Sequence, residues 1–177
     1  MIEGDSTLKI LETLIKPVIW ACEKSGRVFN ITGTGVDTDV YLIRYYLIQS
    51  KYLNVFIHIF LRSDRDDLHD HPWNFGTYIV RGSYREALAS LGSVYNLKYT
   101  SRSTKKYRFI TRKAYHLHKV ELDRQYTVAE KDEAPMTICI TGKTVRDWGF
   151  VKRTATGQEW VFWKKYLGLP EDAPSRG

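Results

Sequence analysis

The chain has 177 residues, enough for one domain that buries roughly two-thirds of its unfolded surface. Apolar residues make up 43% and charged ones 27%, with 5 prolines and 12 glycines, which excludes a disordered, collagen-like or low-complexity chain. The net charge is +7, and the 12 Tyr, 7 Phe and 5 Trp lean the composition towards pleated strands.

Residues Ser6 to Lys24 are predicted to form one helix, capped by Asp5 or Ser6, because Leu8, Leu11, Ile15, Ile19 and Cys22 recur at helical spacing. Pro17 is expected to bend or split it, and Gly26 to stop it. Gly33-Thr34-Gly35 marks a loop. The pattern then changes to strands at Tyr41–Ile48, Tyr52–Leu61, Trp73–Val80 and Tyr84–Ala89. The last two flank Arg81-Gly82-Ser83, which has the composition of a tight hairpin turn. Further strands are expected at Val94–Tyr99, Tyr107–Ile110, His116–Leu122, Thr137–Thr141 and Trp160–Trp163. Short strands at such spacing point to a sandwich or barrel. The expected organisation is an N-terminal helix and loop over 1–40 packed on a barrel of 41–167, with a frayed tail at 168–177.

Two cysteines, Cys22 and Cys139, are too few for a disulfide scaffold, and Cys139 sits in an apolar strand where a thiol is inert. The acidic start lacks a signal-peptide pattern and no apolar run approaches the ~18 residues of a membrane span, so a soluble cytoplasmic protein is expected. Gly33-Thr34-Gly35 lacks the context of a phosphate loop, and no serine sits in a nucleophile elbow. From Lys98 to Lys113 run seven basic residues and no acidic one, interleaved with Tyr99, Tyr107 and Phe109. Such a run reads as a solvated strand face or as a stripe for nucleic acid or phosphate.

All five histidines lie mid-chain: His58, His69, His71, His116 and His118. Two pairs have the spacing His-x-His, and on a strand residues two apart share a face, so each pair can aim both rings at one point. That arrangement suits a metal held by neutral imidazole nitrogens. His58, and equally His116, can instead be a core or surface residue.

These residues carry a resemblance. His69-Asp70-His71-Pro72-Trp73, Arg81-Gly82 and the later Arg112…His118 resemble the two metal motifs of the cupin superfamily. Arg62-Ser63-Asp64, Gly82-Ser83-Tyr84-Arg85-Glu86 and Trp148-Gly149-Phe150 are similar to a set of bacterial and phage cupin-domain proteins. The resemblance covers roughly 41–166. It implies a mainly β, cupin-type double-stranded β-helix (a jelly-roll barrel) with an N-terminal helix.

It also implies a metal on His69, His71 and His118, with Fe(II) preferred and Zn, Mn or Ni as alternatives. The usual cupin glutamate falls on Phe75 and the second motif lacks its glycine and proline, so the implied site has three histidines, as in thiol dioxygenases. His116 and Asp67 are possible additional ligands, whereas Asp70 points away from its neighbours and anchors a loop or faces solvent. If Arg81-Gly82 turns a hairpin, residue 79 faces 84 and 77 faces 86, which puts Tyr84 and Glu86 inside with Thr77. Both are candidate proton-transfer groups. A carboxylate buried at Glu86 needs a partner: a metal, a histidine or an arginine such as Arg44 or Arg62. Trp73, Thr77 and Trp148 are candidate pocket walls, and Arg44 or Arg146 is a candidate anchor for an anionic substrate.

The expected function is a metal-dependent, dioxygenase-like enzyme for a small molecule. A sugar-nucleotide epimerase-like isomerase and a non-catalytic ligand- or nucleic-acid-binding module are the alternatives. A homodimer through sheet edges is an expectation at the level of the family, and no membrane is implied.

Overall fold

The computed structural model describes residues 3–32, 39–64, 67–89, 98–103, 109–155 and 157–173. One helix, α1 (Glu3–Lys24), opens the chain and contains Pro17 without being split by it. It ends where Gly26 takes a left-handed φ of 68°, letting the Arg27 N–H reach Cys22 O at 2.8 Å and the Gly26 N–H reach Glu23 O at 3.3 Å. This closes the last turn with a residue that has no Cβ to clash.

Strands β1 (Val28–Thr32), β2 (Val40–Ile48), β3 (Asn54–Phe60), β4 (Phe75–Arg81) and β5 (Ser83–Ala89) follow. Next come β6 (Lys98–Ser103), β7 (Phe109–Arg112), β8 (Leu117–Glu121), β9 (Met136–Thr141), β10 (Gly149–Thr154) and β11 (Gly157–Phe162). A short helix, α2 (Trp163–Tyr166), takes up Trp163, which the sequence reading gave to the last strand. Neither β1 nor β10 was expected. The loop expected at Gly33-Thr34-Gly35 and the predicted strand residues 94–97, 107 and 108 lie outside the described residues.

One sheet has the order β1-β2-β3-β9-β4-β7, and all its pairs are antiparallel. The second is built of β6-β5-β8 and β10-β11, joined through His69, which bridges both His118 on β8 and Phe150 on β10. The architecture is therefore the expected mainly β, jelly-roll type with an N-terminal helix. No helix among the described residues is long and apolar enough to cross a membrane.

Alternation along β2 and β3 sets what each face does. Ile43, Tyr45, Ile57 and Ile59 point outwards and form a core with Leu11, Ile15, Ile19 and Cys22 of α1. Leu42 and Phe60 point inwards, packing with Ile79, Tyr84, Val120 and Leu122 between the sheets. The helix thus covers the back of the large sheet and leaves the interior to the site.

The predicted β4–β5 hairpin is corrected. β4 pairs with β7 and β9, whereas β5 pairs with β6 and β8. Arg81-Gly82-Ser83 is a corner at which the chain passes from one sheet to the other. Gly82 has φ 74°, and a Cβ there would stand 3.0 Å from the Pro135 Cα. A hairpin turn and a sheet corner make the same local demand for glycine, so the composition of the turn does not tell them apart. Arg81 secures the corner by donating from Nε to Ala134 O (2.8 Å), from Nη2 to Lys131 O (2.7 Å) and from Nη1 to Glu12 Oε1 on α1 (2.7 Å).

A candidate three-histidine metal centre

His69 and His71 lie in the segment between β3 and β4, and His118 lies on β8. Backbone pairing brings the two parts together: the His69 N–H donates to His118 O at 3.1 Å and the His118 N–H returns to His69 O at 2.9 Å. Their ligating ring atoms, with that of His71, lie within 4.8 Å of one another. His71 Nε2 and His118 Nε2 are 2.7 Å apart. His69 Nδ1 is buried and has no hydrogen-bond partner among the described residues. Burial, then the neighbouring His118, pushes the pKa of His69 down to about 3, and burial also holds His71 well below its ordinary value. Both rings are therefore neutral near pH 7, the form that a metal requires.

A divalent ion fits this donor set. Three imidazoles converge, one offers a nitrogen without a partner among the described residues, and His118 is held from behind. Its Nδ1 donates to Glu86 Oε1 at 2.9 Å, which orients the ring so that Nε2 faces the other histidines.

Glu86 on β5 is buried, as parity implied, but its partners differ from those expected. Arg44 instead donates from Nε to His58 Nε2 (3.0 Å), and Arg62 pairs with Asp39 (2.6 Å). The cations at Glu86 are Arg112 of β7, with Nη2 at 2.8 Å from Oε2, and Arg102 of β6, with Nε at 3.1 Å from Oε2. Burial raises the Glu86 carboxyl, but His118, Arg102 and Arg112 outweigh it and hold it at about 2. Two members of the basic run thus point inwards, because alternate residues of a strand face alternate sides. Arg102 is 2% exposed.

Asp70, between the two candidate ligand histidines, points away from them as expected but is buried, at 2% exposure. It accepts from Arg146 Nη1 at 2.6 Å, the Gly149 N–H at 2.7 Å and Trp160 Nε1 at 3.1 Å. Arg146 therefore serves Asp70. These bonds pin the segment to β10 and β11. Trp73 stacks on His71 with ring centroids 4.7 Å apart, and Trp148 lies parallel to His71 at 6.5 Å.

The two remaining candidate ligands do not join the histidine group. His116 precedes β8, where its N–H bonds to Lys113 O (3.0 Å) and its Nδ1 accepts from the Lys113 N–H (3.3 Å). Asp67 Oδ2 accepts from Tyr166 Oη at 3.2 Å. Tyr84 is buried in the inter-sheet core, and burial keeps its phenol protonated. Tyr115 is exposed.

Two cavities meet at the histidines. An outer cleft of about 820 Å³ is lined by Trp73, Trp148, Phe150, His69 and His71, among others. An inner chamber of about 100 Å³ is lined by His69, His71, His118, Thr77, Tyr84, Glu86, Arg102 and Thr137, among others. Tyr41, Arg44 and Trp73 border both. Trp73 and Trp148 thus wall the outer cleft and Thr77 the inner chamber. Cys139, also at the chamber, is buried, and burial raises its thiol to about 11, so it stays protonated.

No family model matches the chain, and no curated protein does. Among solved structures it is similar to hydroxypropylphosphonic acid epoxidase from S. wedmorenis, at 14% identity and TM-score 0.43 over 63% of this chain and 55% of that one. It is similar to the DMSP lyase DddQ from Ruegeria pomeroyi DSS-3, at 13% identity and TM-score 0.45 over 67% and 56%. CapF gives 14% identity and TM-score 0.47 over 68% and 34%. The chain spans about half the length of the first two.

Proposed function

We propose that this protein is a metal-dependent cupin-type enzyme acting on a small molecule, with Fe(II) the preferred ion at His69, His71 and His118. The observation that carries the reading is the convergence of three imidazoles within 4.8 Å where two cavities meet. With three protein ligands, a bound ion keeps coordination positions open and supplies Lewis-acid or redox chemistry there. Three histidines without a carboxylate suit Fe(II), and Zn, Mn and Ni are served by the same donors.

The chain's own residues divide the remaining work. Glu86 stays charged, holds the proton on His118 Nδ1 and so acts through that ring as a positioning residue. Tyr84 keeps its phenolic proton at the chamber wall. Trp73 and Trp148 narrow the approach with apolar rings, and Asp70 fixes the segment that carries two ligands.

The test is elemental mass spectrometry on tag-free protein purified without chelator, beside His69→Ala and His118→Ala. Near-stoichiometric iron that is lost in both variants supports the reading and leads to oxygen-uptake assays. A wild type that stays metal-free after reconstitution with Fe(II), Zn, Mn and Ni overturns it.

A further inference from the structure

The inner chamber contains polar groups that the metal centre does not use. Arg102 Nη1 and Thr137 Oγ1 are buried, line this one chamber and have no hydrogen-bond partner among the described residues. Leaving such groups unpaired carries the full cost of taking them out of water. The guanidinium nitrogen can only donate, so what it lacks is an acceptor. Arg44 and Asp64 on the chamber wall cancel, whereas Arg102 and, from behind, Arg112 share the single carboxylate of Glu86, which leaves one positive charge in excess at that cluster. Both Glu86 oxygens are already engaged, Oε1 by His118 and Arg112 and Oε2 by Arg112 and Arg102. Asp64 Oδ2 accepts the Val120 N–H at 2.7 Å. Water would supply an acceptor for Arg102 but would leave the surplus positive charge, whereas an anion answers both.

Size narrows the class. About 100 Å³ beside a water's share of roughly 30 Å³ leaves room for a handful of heavy atoms. The planar guanidinium fork also matches the two oxygens of a planar carboxylate.

We infer that the inner chamber is a subsite for the carboxylate of a small organic acid, with Arg102 and Thr137 as its donors. The acid's other end points to the three histidines, which border the same chamber. This deepens the metalloenzyme reading by naming the substrate class, and it rests on that reading for the chemistry but not for the binding.

The test is calorimetric titration of propionate, with inorganic phosphate as a tetrahedral anion of the same number of heavy atoms, into chelator-treated and Fe(II)-loaded protein. Propionate is expected to bind both forms saturably, at least 10-fold more weakly in Arg102→Lys and about 3-fold more weakly in Thr137→Val. His116→Ala is expected to leave binding unchanged. Thr137→Val keeps the buried shape, so it reports even if Arg102→Lys fails to fold. Absence of propionate binding in both forms, equal binding in the folded variants, or preference for phosphate overturns the assignment. If no metal loads yet propionate binds through Arg102, the metal reading fails and the subsite stands. If iron loads and propionate does not bind, the reverse holds.

Discussion

The chain carries two His-x-His pairs, and they have different fates. In His69-Asp70-His71 both rings reach one centre, whereas in His116-Leu117-His118 only the second does. The difference lies in the backbone. His69 is bridged on both sides, to His118 and to Phe150, and Asp70 bonds to Gly149, Arg146 and Trp160, so the segment is held extended. His116 instead closes a turn with Lys113 before β8 begins, and there the alternation of strand faces does not yet apply. Spacing reports a shared face only where both residues belong to extended chain.

The sharpest way to break this contrast is at the ligands. His118→Ala is expected to abolish stoichiometric metal binding, read by elemental mass spectrometry, while His116→Ala retains it in full. Equal loss in the two variants would mean that the pairs are equivalent after all.

Glu86→Gln comes next. It removes the charge that orients His118 and balances Arg102 and Arg112, so metal affinity should fall 10- to 100-fold. Breaking that buried charge cluster should also lower stability by about 3–5 kcal/mol, read by urea unfolding. An unchanged midpoint would show that the cluster is not coupled to the fold.

Asp70→Asn should cost about 2 kcal/mol and loosen His69 and His71 together, because one acceptor for three buried donors is weakened. Nuclear magnetic resonance of the two rings would show line broadening for both. Broadening of His118 alone would contradict the anchoring role.

The smallest effect concerns pH and His58, which is buried beside Arg44 and held well below its ordinary pKa, first by burial and then by that cation. Its lowered folded-state pKa gives stability that is full above the unfolded value near 6.5 and is lost as pH falls below it. The contribution has a slope of about 1.4 kcal/mol per pH unit. His58→Gln keeps an acceptor for Arg44 Nε, so it should remove that slope between pH 6.5 and 5 in the metal-free protein. An identical slope in both proteins would assign the dependence to other groups.

The sequence made the three ligand histidines and most strands legible, because two motifs and a period of two are local signals. The helix core also followed from spacing, with Leu11, Ile15, Ile19 and Cys22 all packed on the large sheet. What was not legible depends on pairing across the molecule. Arg81-Gly82-Ser83 read as a hairpin because glycine at positive φ serves a turn and a sheet corner alike. Arg102 and Arg112 were hidden in a run that read as one surface, although the need of a buried Glu86 for cations, combined with strand parity, was a signal that pointed to them. No local signal marks His69 as the joint between β8 and β10.

That joint has a consequence for how the protein assembles. His69 and His118 exchange backbone hydrogen bonds across 49 positions of sequence, and a slip of one residue by either partner would turn its ring to the opposite side. A metal ion that binds only the converged rings therefore stabilises one register against its neighbours, and the bias grows with the logarithm of free ion concentration. Loading such a centre and proofreading the alignment of the second sheet would then be a single equilibrium.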